Sequence, residues 1–268
     1  MANQVYENFY LSNEVEDQFN SHLDLQQFCT IDNSLVGQAG MKSVINTYRA
    51  TDGTEKLVMG AGNTKSIEVN LTDAEYEIAL AQNRFDYFDE QAMKDPMLVP
   101  VGMKHAGTDM YNTVNADIYA EFSKTGIVVP ATAFDFDAFV DAVAALNMEN
   151  DESVTVFAFV CPKDKAKVRK ALKDDLKYIE AFAKTGYIGT VAGVNLYTKK
   201  DATEGEIVVA TKEAVTIFNK KGVEVEQVTK DKRSEDAANI RKNSIFSRKY
   251  YIVALTDESK AVKITLNA

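Results

Sequence analysis

The chain has 268 residues, 46% hydrophobic and 26% charged, a balance that supports one large core or two modest ones and argues against wholesale disorder. Acidic residues outnumber basic ones 40 to 30, a formal charge of −10, which argues against gripping a phosphate backbone as the main task. Two lone cysteines, Cys29 and Cys161, neither in a CxxC pair, exclude a disulfide scaffold, argue against structural zinc and leave one disulfide open.

The N-terminus has neither a basic start nor an apolar h-region, so no signal peptide is expected. Apolar runs stay short of the roughly 18 residues that span a bilayer. Both features predict a soluble chain made inside a cell. Residues 1–40 are polar and weakly patterned, with scattered anchors such as Phe9, Phe19, Leu25 and Phe28. Such a segment buries too little apolar surface to fold alone, so it reads as an arm lying on a host surface.

Strand patterning begins near Met41. Val44–Arg49 leads into Asp52-Gly53, a tight-turn pair, and Leu57–Met59 reads as a strand broken by Gly60-Ala61-Gly62-Asn63. Ile67, Val69 and Leu71 then alternate with polar residues, as do Tyr76, Ile78 and Leu80. The pattern predicts a long hairpin with a polar tip, marginal by itself. Pro96 and Pro100 open a helix to about Lys124, where Tyr111, Val114, Ile118 and Phe122 mark a buried stripe and Gly126 a C-cap.

After Pro130, Asp135 or Asp137 caps a helix that buries Phe136, Phe139, Val140 and Val143. Ser153–Val160 reads as a central strand, with Cys161 a buried thiol at its end. Pro162 starts a second helix carrying Val168, Leu172, Leu176, Ile179 and Phe182, ended by Gly186. Lys163, Lys165, Lys167, Arg169, Lys170 and Lys173 crowd its first half and read as a solvated face rather than a phosphate site. Short strands follow at Tyr187–Tyr197, Ile207–Ala210, Val215–Phe218 and Val223–Val228. A charged segment, Lys230–Lys242, then leads to Tyr250–Leu255 and Ala261–Leu266. The mixture is α+β without a strict βαβ repeat.

No catalytic constellation emerges. Gly60–Ser66 lacks the glycine before lysine and the following helix that a phosphate loop needs. Only His22 and His105 are available as bases, with no nucleophile elbow, and both read as structural. Glu149-Asn150-Asp151-Glu152 lacks the spacing of a calcium loop. No catalytic residue, cofactor or metal is therefore expected.

The order of these parts resembles the tailed-phage capsid fold, the Hong Kong 97 fold, over nearly the whole chain. Three stretches carry the resemblance: Tyr48–Arg84 as extended loop and return strand, Phe85–Lys124 as approach and spine helix, and Tyr187–Tyr197 with Ala214–Phe218 as axial strands. The closing runs Arg248–Leu255 and Ala261–Ile264 resemble strands completing the peripheral domain. The resemblance implies an arm (1–40), an extended loop (41–75), a peripheral domain (76–130 and 245–268, spine helix about 97–124) and an axial domain (131–244).

It further implies a subunit forming pentamers and hexamers of itself in an icosahedral or prolate shell. The shell would enclose double-stranded DNA without sequence specificity. A portal protein, a separate scaffolding protein and a decoration protein are the other implied partners, with the virion as destination and the host cytoplasm as place of synthesis. Contacts between subunits are expected from Arg49, Asp52, Glu55, Lys56 and Lys65 in the extended loop, and from Lys199, Lys200, Asp201 and Glu204 near the ring centre. No covalent crosslink is expected, because Lys56 and Lys65 have no identifiable partner or activating carboxylate. The rival readings are an encapsulin-type compartment shell of the same fold, a small-molecule enzyme, and another virion part such as a tail-tube protein.

Overall fold

A computed structural model describes residues 23–37, 42–148, 154–173 and 189–266. In chain order its elements are β1 (Thr30–Asp32), β2 (Lys42–Ala50), β3 (Val69–Glu77), β4 (Ala79–Phe88), α1 (Asp89–Lys94), α2 (Leu98–Phe122), β5 (Val128–Ala131), α3 (Phe136–Ala145) and β6 (Val156–Val160). Then come α4 (Pro162–Ala171), β7 (Thr190–Val191), β8 (Val194–Thr198), β9 (Glu206–Thr211), β10 (Val215–Val228), α5 (Glu235–Asn239), β11 (Lys242–Leu255) and β12 (Ala261–Leu266). The fold is α+β, as expected.

Three sheets organise these elements: β1-β10-β11-β4, β5-β12-β9-β6-β8-β7, and the separate hairpin β2-β3. The six-stranded sheet is covered on both faces. In its central strand β6 every residue is buried, and alternation sends Phe157 and Phe159 one way and Val156, Ala158 and Val160 the other. The first face meets α2 through Val114, Ile118, Tyr119 and Phe122, and also meets β10 and β11. The second is closed by Ala138, Phe139 and Ala142 of α3 and Val168 of α4.

The long helix forms where its periodicity predicts, with Pro100 in the first turn, where a missing N–H costs nothing. Val114, Ile118 and Phe122 are buried as expected; Met110, Asn115 and Tyr119 join them, while Tyr111 is only half-buried. Gly126 does not cap the helix. Its N–H bonds the Glu258 carboxylate at 2.8 Å, and a Cβ there would overlap that same oxygen. Asp135 is the cap of α3, accepting from Ala138 N at 3.0 Å, but Phe136 and Val140 lie on the exposed side of that helix.

The expected division of strands shifts in two places. Val215–Phe218 and Val223–Val228 are one 14-residue strand, β10, paired with β11 rather than with the strands of the six-stranded sheet. Ala261–Leu266, grouped with Arg248–Leu255 in the peripheral domain by the resemblance, pairs with β5 and β9 in the six-stranded sheet. Leu176, Ile179, Phe182 and Gly186 lie outside the described residues, as does Glu149–Glu152.

Candidate assembly interface

Part of the segment read as an arm is built into its own subunit. Leu25 and Cys29 are buried, β1 pairs in parallel with β10, and the Phe28 ring sits 4.8 Å from Phe157 and 4.6 Å from Tyr197. Asn115 of α2 fixes this segment. Its Nδ2 donates to Leu23 O at 3.0 Å and its Oδ1 accepts from Leu25 N at 3.2 Å. Burial, then the Asp24 carboxylate, push the Tyr111 phenol beside it up to about 12. Both thiols are buried and free, and burial pushes Cys29 up to about 12, which leaves it unreactive.

The hairpin β2-β3 runs in unbroken antiparallel register from Lys42↔Glu77 to Ala50↔Val69. Beyond it the chain continues to a tip held by side chains in place of a ladder. Thr51 N donates to Glu68 O and Glu68 N to Thr51 Oγ1, both at 2.9 Å. Glu55 accepts from Thr64 N at 2.8 Å and from Thr64 Oγ1 at 2.6 Å, bonds that hold its carboxyl below the usual range. Asn63 Nδ2 bonds both Gly53 O and Lys65 O.

The reversal falls at Val58–Ala61, with Gly60 at φ 89°, and not at Asp52-Gly53. Gly53 has a different reason to be glycine: a Cβ there would lie 2.7 Å from Ile67 N on the opposite limb. Leu57–Met59, expected as a strand, is the tip itself, with exposures of 51, 81 and 104%. Ile67 and Val69 are also exposed. Three adjacent apolar side chains thus face solvent on a projection stiffened by its own hydrogen bonds.

The sequence-derived contact residues are not one set. Arg49 lies in β2 opposite Asn70, Asp52, Lys56 and Lys65 are exposed on the projection, and Glu55 is spent on the Thr64 clamp. Lys199 is 2% exposed, so it cannot reach a neighbour; its ammonium lies 5.5 Å from the Tyr119 ring and 3.8 Å from Asp201, and burial holds its pKa down. Glu204 is engaged within the chain by Lys163 at 2.7 Å and Lys167 at 3.6 Å, while Lys200 and Asp201 are exposed. Sequence reasoning missed the Leu57-Val58-Met59 tip, although an apolar triplet directly before Gly60-Ala61-Gly62 in a polar hairpin was the available signal.

No family model matches the chain, and no curated protein matches it in sequence. The fold is another matter: it is that of capsid shell subunits. The capsid of the cyanophage P-SCSP1u superposes with a TM-score of 0.73 at 13% identity, over 96% of this chain and 91% of that one. The mature capsid of bacteriophage PhiM1 superposes with a TM-score of 0.69 at 12% identity, over 100% and 92%. A virus-like particle from Pyrococcus furiosus gives 0.59 at 11% identity, over 90% and 91%. The chain thus has the Hong Kong 97-type fold of tailed-phage major capsid proteins along its whole described length.

Proposed function

We propose that this chain is the major capsid protein of a tailed bacteriophage, a structural subunit that assembles through pentamers and hexamers into a shell around the genome. The observation that carries the reading is the projecting hairpin, whose stiffened apolar tip has no host among the described residues of its own subunit. A second copy supplies that host in a closed assembly, where each subunit holds several neighbours and single contacts can stay modest.

In this reading α2 with the four-stranded sheet is the peripheral unit and the six-stranded sheet with α3 and α4 the axial unit. The arm expected over residues 1–40 lies largely outside the described residues, which begin at Leu23. A portal, a separate scaffolding protein and a decoration protein complete the particle, the DNA inside is touched without sequence preference, and subunits are made in the host cytoplasm. The mildly acidic chain suits a wall that encloses DNA rather than one that grips it. The compartment shell is the second reading, favoured by the likeness to the Pyrococcus furiosus particle but at a lower TM-score than the phage capsids.

Negative-stain electron microscopy with size-exclusion chromatography tests the proposal. Closed shells, or rings of five and six, are expected, and a strict monomer at every salt and concentration, with virion partners added, would overturn it. Nucleic acid inside purified particles, against a protein cargo, separates phage from compartment.

A further inference from the structure

Helices α3 and α4 lie on the same face of the six-stranded sheet, on different strands. α3 rests on β5 and β12, whereas α4 is held to the end of β8 and the loop between β8 and β9, with Lys165 bonding Thr198 at 2.9 Å and Lys163 bonding Glu204 at 2.7 Å. Charge is segregated between them. α3 has no basic residue and exposes Asp137 and Asp141, neither in an ion pair among the described residues. α4 has one acid, Asp164, and that is fully buried, accepting from Gly205 N at 2.8 Å and Lys167 Nζ at 2.7 Å. Its exposed charged side chains are basic: Lys163, Arg169 and Lys170.

Burial, then the neighbouring Arg169 charge, hold the Lys165 ammonium below its usual range, while Glu204 pairs with Lys163 at 2.7 Å and Lys167 at 3.6 Å, which leaves Arg169 and Lys170 as the exposed cations of α4 outside that cluster. The acidic helix also shows Phe136 and Val140, one turn apart and both exposed. A charged face alone is usually only solvated. Here opposite signs occupy two helices of one layer, and the acidic one adds an aromatic ring suited to a guanidinium and to lysine stems.

We propose that the α3 face of one copy docks against the α4 face of the next, giving the head-to-tail contact that closes the ring. A cyclic ring requires each copy to present two different, mutually complementary surfaces, and one acidic–apolar and one basic flank are such a pair. The proposal rests on the capsid reading and assigns the contact to Phe136, Asp137, Val140 and Asp141 on one side, Arg169 and Lys170 on the other.

Full-length chains carrying D137K/D141K, R169D/K170D, or all four changes test it, with circular dichroism to check folding and electron microscopy to read assembly. Each single-flank chain is expected to fold and lose closed particles, and the fourfold swap to regain them. An equimolar mixture of the two single-flank chains should form six-membered and no five-membered rings, since strict alternation cannot close an odd ring. Single-flank chains that assemble like the unaltered protein, or a folded swap that does not, would overturn the docking and leave the capsid reading standing. Failure of the unaltered chain to form rings or shells sinks the capsid reading instead. Should a reversed chain not fold, D137N/D141N and R169Q/K170Q serve: at least a tenfold higher assembly concentration is expected, and no change overturns the contact.

Discussion

Asn115 performs with one side chain the pairing that a neighbouring strand performs with its backbone, satisfying the Leu23 carbonyl and the Leu25 N–H. Asn115→Ala leaves Leu25 N without its partner in a site where Leu25 itself is fully buried. The expected cost is about 2–3 kcal/mol, combining an unsatisfied buried group with a lost bond. A fall in the urea midpoint of the unassembled subunit checks it, and Asn115→Asp, which sets a buried carboxylate oxygen against Leu23 O, should lower the midpoint as well. Asp86 sets a second residue-scale expectation. Burial raises its pKa, but bonds from Arg84 at 2.7 Å, Ser244 at 2.6 Å and Lys242 at 3.0 Å outweigh this and bring it down to about 2. The folded value lies below the unfolded one near 3.9, so the stabilisation is complete above about pH 4 and lost as pH falls towards 2. Melting temperatures between pH 2 and 5 should fall less steeply for Asp86→Asn than for the unaltered chain.

At the scale of elements, the β7-β8 hairpin turns on Ala192-Gly193, both with positive φ, 48° and 81°. Two-residue hairpins of this hand favour Asn-Gly, and alanine is strained at the first position. Ala192→Asn is expected to add about 0.5–1 kcal/mol, read as a higher urea midpoint with unchanged slope. The long helix and β6 were legible from periodicity and from an unbroken apolar run, because burial imposes those patterns whatever the partner. β10 was not. Asn219-Lys220-Lys221-Gly222 reads as a break, but register shifts between Asn219 and Lys221 and between Lys221 and Glu224 absorb the extra residues and carry the strand through. Nor does a sequence state which distant strand it will join, so the placement of β12 beside β9 was out of reach. The contact residues divide in the same way. Exposed charges on a projecting loop follow from local composition, whereas the burial of Lys199 depends on Tyr119, 80 positions earlier, arriving beside it.

At the scale of the whole molecule, stability and assembly draw on different residues, and this allows the two to be separated. The tip Leu57-Val58-Met59 is mostly exposed, with only Leu57 half-covered, so its substitution removes little burial from the folded subunit and should shift subunit stability by no more than about 1 kcal/mol. The Thr64–Glu55 and Asn63 bonds that shape the projection do not involve those three side chains and persist. On the proposed capsid reading each copy would place its tip on a neighbour, and burying apolar surface there is worth roughly 25 cal/mol per Å2. The triple change Leu57→Ser, Val58→Ser, Met59→Ser should therefore leave urea unfolding of the dissociated subunit nearly unchanged while raising the assembly concentration more than tenfold. Light scattering against subunit concentration measures the second quantity. Equal assembly by both chains would show that the projecting tip is not what a neighbour holds. A large drop in subunit stability would instead mean that the tip packs within its own chain, contrary to its exposure.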